Sequence, residues 1–146
     1  NPQSEELDKV EVEAVRYMNG DKATRLKTKN WTTHHWLYFL RGLRHKMDIN
    51  QIAELDNAYD LSNSGNNEIL CDWFQHCIDV DYQPAYPSME RFLTSVGRRK
   101  FLSPLYKELV KTEEGKAWAK RVYEIAKPGY HSVSSNSIEV ILEIKR

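Results

Sequence analysis

Gly97-Arg98-Arg99-Lys100-Phe101-Leu102-Ser103-Pro104-Leu105-Tyr106 sets a helix stop, three adjacent cations and a helix start side by side. Gly97 follows the apolar positions Met89, Phe92, Leu93 and Val96, and a residue tolerant of positive φ commonly stands just past a helix end. Ser103-Pro104 reads as an N-cap with proline at the first helical position, where its missing N–H costs nothing. Arg98, Arg99 and Lys100 then occupy a connection beside a helix N-terminus, whose dipole and free N–H groups favour anions. In an extended connection side chains alternate, so Arg98 and Lys100 would share a side. A bidentate guanidinium next to a compact ammonium suits one carboxylate or phosphate. The same letters also fit a solvated basic turn.

Outward from this stretch the chain reads as helix on both sides. Downstream, one helix from Pro104 buries Leu105, Tyr106, Leu109 and Val110; the next carries Trp118, Val122 and Ile125 and stops at Pro128-Gly129. Upstream, a helix beginning near Pro84 or Pro87 leads into Gly97, since proline is tolerated in a first turn. Before it, Ile69, Leu70, Trp73, Phe74, Cys77 and Ile78 make the clearest amphipathic pattern in the chain. Ser62 to Asn67 is a turn-rich break. Asp48 caps a helix with Ile49, Ile52 and Tyr59 on one side, and Thr32 caps one striped by Trp36, Leu37, Leu40 and Leu43. Ser4 caps the first, with Leu7, Val10, Ala14, Tyr17 and Met18 at helical spacing, before a lysine-rich loop over 20–29. The tail alternates Ile138, Val140, Leu142 and Ile144 with polar neighbours, a period of two that predicts a strand. The expected fold is all-α: seven helices with short connections, stacked as antiparallel pairs in a short right-handed α-α superhelix of the armadillo or HEAT kind. No clean internal repeat supports a consensus array.

Composition narrows the function. The chain has 146 residues, with 21 basic and 21 acidic side chains, so it carries no net field to attract nucleic acid or an anionic membrane. Three clustered cations give too few phosphate contacts for useful nucleic-acid affinity. The longest apolar runs are too short to span a bilayer, and no secretory signal opens the chain. Cys71 and Cys77 fall inside a helical pattern, as buried free thiols rather than a disulfide, which fits a cytoplasmic setting.

Nothing in the chain forms a self-contained active site. His34 and His35 point about 100° apart on a helix, and zinc needs three or four convergent ligands. His45 and His76 lie elsewhere, and no HExxH, CxxC or phosphate-cradling glycine loop occurs. No metal ligands are expected in this chain. Asp56, Asp60, Asp72, Asp79 and Asp81 read as solvated carboxylates on polar helix faces. Of the aromatics, Trp73 and Trp118 read as core, whereas Tyr82 and Tyr86 are candidates to line a groove.

The run Gly97-Arg98-Arg99-Lys100-Phe101, two residues, then Pro104-Leu105-Tyr106 resembles the G-R-x-K-F-x-x-P-L-F/Y signature of the C-terminal helical domain of the leukotriene A-4 hydrolase and aminopeptidase B family. Leu55 to Tyr59, Asn63 to Ile69, Trp73 and Cys77-Ile78 follow that domain's order. Thr32-Thr33-His34 fits its helix entry, and Lys107-Glu108-Leu109 and Tyr123 continue it. The likeness covers roughly residues 32 to 131.

The resemblance implies a three-domain zinc metallopeptidase, with an N-terminal β domain, a thermolysin-like catalytic domain holding zinc, and this non-catalytic helical domain walling the substrate cleft. It also implies that Arg98 and Lys100 bind the free carboxylate of a short peptide substrate, with Arg99 as an accessory cation at the variable middle position. On this reading residues 1–30 are an N-terminal helix and linker to the catalytic domain, and residues 31–146 are the helical domain. Its partners are the catalytic and N-terminal domains of the same polypeptide and the peptide, without nucleic acid or membrane; zinc belongs to the catalytic domain. The alternative is a free-standing helical-repeat interaction domain that binds proteins along a concave face.

Overall fold

Four helix starts show the local capping chemistry that fixes them. Asp48 Oδ1 accepts from Gln51 N at 2.8 Å while Asp48 N donates to Gln51 Oε1 at 2.9 Å, a reciprocal box that opens α3, Ile49–Tyr59. Thr32 N donates to His35 Nδ1 at 2.9 Å at the start of α2, Thr33–Gly42. Asn66 Oδ1 accepts from Glu68 N and Ile69 N and opens α4, Asn67–Asp79. Thr112 Oγ1 accepts from Gly115 N at 3.0 Å before α7, Glu113–Ala126. The other helices are α1, Pro2–Met18; α5, Tyr86–Ser95; α6, Arg99–Leu109; and α8, Ser132–Leu142. The structure, a computed structural model, describes residues 2–144. Among them are eight α-helices, four short 3₁₀ turns and no strand, an all-α fold as the sequence predicts.

The chain divides into two compact units, Asn1–Val80 and Asp81–Arg146. In the first, α1 packs on α2, and α4 packs on both α2 and α3. Trp73 and Phe74 of α4, Phe39 and Leu40 of α2, and Leu55 of α3 are fully buried between these helices. Polar groups that follow them inside are matched. Trp73 Nε1 donates to Ser62 Oγ at 3.0 Å, and Ser62 in turn donates from Oγ and N to the two Asp56 oxygens at 2.7 and 2.8 Å. Buried Glu13 on α1 accepts from Lys27 N and Arg16 Nη1 through one oxygen, fastening the loop after α1 to its own helix. Asp72 and Asp79 hold Arg41 and Arg44 at 2.7 and 2.6 Å. Asp56, Asp72 and Asp79 are thus structural acceptors, not the solvated carboxylates the polar-face pattern implies.

In the second unit α6 packs on α8 and α7, and α5 packs on α7. A buried chain of hydroxyls ties these helices together. The Tyr130 hydroxyl donates to Leu93 O of α5, so Tyr106 of α6 must donate to Tyr130 across 3.1 Å. Burial pushes the Tyr130 hydroxyl up to about 12 and the Tyr106 hydroxyl higher still, keeping both neutral donors.

Five expectations need correcting. The tail is helical: Ser134, Ile138 and Leu142 recur every four residues and are buried, while Val140 is exposed. The apparent period of two came from Val140 and Ile144, which do not share that face. The helix count accordingly rises from seven to eight. Gly97 does not use a left-handed conformation; Gly20 is the glycine with positive φ among the described residues, and α5 ends through extended Val96. Tyr82 and Tyr86 are buried, with Tyr86 against Trp118 at 5.0 Å between ring centroids, so they pack instead of lining a groove. Ser4 lies inside α1, which begins at Pro2.

Candidate functional site

The three cations lie at the N-terminus of α6, but the local backbone differs from the extended connection read from the sequence. Arg98 is the cap residue, with φ −77° and ψ 123°. Its carbonyl accepts from Phe101 N at 3.0 Å and Leu102 N at 3.2 Å, so Arg99 and Lys100 are the first two helical residues. Pro104 therefore sits inside α6 rather than starting it. Only Arg98 is extended, and strand-like alternation cannot be what brings Arg98 and Lys100 together.

Both instead stand beside one ring. Arg98 Cζ stands 5.6 Å from the Phe101 ring centroid and Lys100 Nζ stands 4.8 Å from it, both inside the range where a cation is drawn to an aromatic face. Phe101 is buried and meets Phe92 of α5 edge-on, with centroids 6.3 Å apart and planes at 66°. Arg99 leaves the pair: its Nη1 lies 3.4 Å from Ser137 Oγ of α8. The corner is also tied to α8 by Ser134 Oγ, which donates to Gly97 O at 3.0 Å.

All three cations are exposed, and among the described residues neither Arg98 nor Lys100 is paired with a carboxylate. Their charges add to a helix terminus whose first N–H groups have no acceptor within the helix. The arrangement can hold one small anion by charge-assisted hydrogen bonds. The sequence reading took Phe101 only as a letter of the signature and missed Ser134 and Ser137; the signal for the contact of Phe101 with Arg98 was its position three residues on, one turn once α6 is started at Arg99.

Other reactive side chains are occupied elsewhere. His35 serves the α2 cap. His76 is buried and donates from Nε2 to Leu40 O at 2.8 Å; burial holds its pKa down at about 4. His45, at φ 66°, places Nδ1 3.2 Å from Asp79 Oδ2. Cys71 and Cys77 are buried free thiols, and burial raises both, Cys71 to about 11, far from the thiolate a nucleophile needs. Among the described residues no three His, Cys, Asp or Glu side chains are grouped to hold a metal ion, and no helix is long and apolar enough to cross a membrane.

Residues 31–142 match the family model described as leukotriene A4 hydrolase, C-terminal. The chain is 28% identical over 146 residues to aminopeptidase B of Mus musculus, covering 97% of this chain and 22% of that protein. It is 28% identical over 124 residues to leucine aminopeptidase 2 of Pyricularia oryzae, covering 82% of this chain and 20% of that protein. A 29% identity over 92 residues links it to leucine aminopeptidase 2 of Yarrowia lipolytica. The chain thus spans about a fifth or less of the length of these relatives.

Proposed function

The chain belongs to the leukotriene A4 hydrolase C-terminal family, and from that premise we propose that it is the carboxylate-recognising, non-catalytic wall of an aminopeptidase's substrate cleft. Arg98 and Lys100 bind the free carboxylate of a short peptide, and Arg99 stands beside them as an accessory cation. The observation that carries this reading is the pair of exposed cations beside one buried ring at a helix N-terminus, with no carboxylate among the described residues against them.

The contribution is positional. The catalytic domain cleaves the bond near the amino end of the peptide; the cations fix the far end and so reduce the orientations the bound peptide samples. On this reading zinc belongs to the catalytic domain. Residues 1–30 lead in from the catalytic domain, and the cytoplasm is the compartment that suits the two free thiols.

The test is Arg98→Ala in the full-length enzyme, measured on tripeptides. Losing one charge-assisted contact costs about 1.5–3 kcal/mol, a fall of roughly ten- to a hundredfold in kcat/KM. C-terminally amidated tripeptides, which lack the carboxylate, should respond far less. Unchanged kinetics on free-acid tripeptides would sink the proposal.

A further inference from the structure

We infer that Phe101 is a positioning residue for the carboxylate site, its buried ring holding the Arg98 guanidinium and the Lys100 ammonium where a peptide carboxylate meets them. The inference rests on the reading of Arg98 and Lys100 given above and names what sets their geometry.

Both cations stand on long flexible side chains at the surface, and such chains lose rotamer freedom when they close on a ligand. A fixed attractor reduces that loss in advance. Phe101 is only 7% exposed and Phe92 only 4%, and the edge-on contact between them sets the ring's orientation from the core. The ring is therefore packed in place where the cations stand exposed. Its electron-rich face draws Nζ of Lys100 to 4.8 Å and Cζ of Arg98 to 5.6 Å. Contact with a π face occupies only part of each cation's donor set, so N–H groups of both remain to meet a carboxylate.

Arg99 is the internal comparison. It has the same side chain as Arg98 and an adjacent backbone position, yet it reaches Ser137 on α8 at 3.4 Å. Charge and helix terminus are common to all three cations, so neither explains why two of them stand at the ring. What Arg98 and Lys100 share, and Arg99 lacks, is the Phe101 ring.

The experiment places mono-, di- and trifluorinated phenylalanine at position 101 of the full-length enzyme. Fluorine withdraws charge from the ring face with little change in volume, so packing is kept while the cation–π attraction fades. Expected is a graded fall in kcat/KM for a free-acid tripeptide, reaching about three- to fivefold for the trifluorinated ring, with a distinctly smaller change on the amidated tripeptide. Phe101→Tyr, which keeps the π face, should retain wild-type selectivity for the free acid, and Phe101→Leu should lose it to the extent of the trifluorinated ring. A flat series overturns the role of Phe101, and so does an equal loss on both tripeptides, which would mark a purely structural part. Arg98→Ala measured in parallel separates the two ideas: a selective loss there with a flat fluorination series removes Phe101 alone, whereas no selective loss removes the carboxylate reading itself.

Discussion

Gly115 offers a test in which two effects of known sign oppose each other. It is the third residue of α7, and a Cβ built there would stand 2.2 Å from Leu109 O and 2.9 Å from Thr112 Oγ1. Alanine in a helix is favoured over glycine by about 1 kcal/mol. Against this, a carbon and a carbonyl oxygen ordinarily approach no closer than about 3.3 Å, so the α6–α7 connection would have to open by about 1 Å. The obstructing atom is backbone at the end of α6 and cannot rotate aside. Overpacking of this sort costs about 1–3 kcal/mol, and displacing Thr112 weakens a cap worth about 1 kcal/mol. Gly115→Ala is therefore expected to destabilise by about 1–3 kcal/mol after the propensity gain is subtracted. Gly42 is the control: it ends α2 at negative φ, and its Cβ would meet nothing within 4 Å. Gly42→Ala should stabilise by about 0.4–1 kcal/mol. Urea unfolding of the 146-residue chain, followed by far-ultraviolet circular dichroism, measures all three proteins. If Gly115→Ala matches or exceeds the unsubstituted chain while Gly42→Ala gains, the close approach to Leu109 does not constrain α7 and the argument fails.

Two further outcomes follow from buried polar groups. Asp56→Ala removes both acceptors of Ser62 and should cost about 2–4 kcal/mol in the same unfolding experiment, because a stranded buried donor loses about 1–3 kcal/mol each; a loss under 0.5 kcal/mol would mean that water replaces the carboxylate. His76 titrates near 6.5 when unfolded but about 4 when folded, burial outweighing its bond to Leu40. The unfolded chain therefore binds the proton first, and stability should fall as pH drops from about 6.5 to about 4, by about 2–3 kcal/mol in total. His76→Gln, which keeps a donor for Leu40 O, should flatten that part of the profile; an unaltered slope would remove His76 as its source.

Local rules made much of the fold legible. Thr32 and Asp48 cap the helices that the sequence places after them, and the turn-rich break from Ser62 ends at the α4 cap. In each case the capping residue, the first helical turn and the apolar stripe agree, so no long-range information is needed. The tail failed because alternation and fourfold spacing coincide at Ile138 and Leu142 over so short a segment. Its main partner, α6, selects the helix, and α6 is distant in sequence. The bond from Tyr130 to Leu93, 37 residues apart, is invisible to any local rule for the same reason.

The candidate site was legible in its residues but not in its geometry, and the cause is the weight given to Ser103-Pro104. That pair satisfies the start rule locally. Buried positions nevertheless begin upstream, at Phe101 and Leu102, and continue through Leu105, Tyr106 and Leu109, one unbroken helical stripe. Starting the helix at Ser103 would leave two large apolar side chains off that stripe. Burying each contributes about 1.5–3 kcal/mol, together matching or exceeding the roughly 3 kcal/mol that an interior proline costs. The stripe wins, α6 starts at Arg99, and Pro104 is accepted within it. The same choice converts Arg98 and Lys100 from neighbours along an extended loop into cap and first-turn residues around Phe101. Weighing the apolar stripe before the cap would have yielded the ring, and with it the reason that the middle arginine points elsewhere.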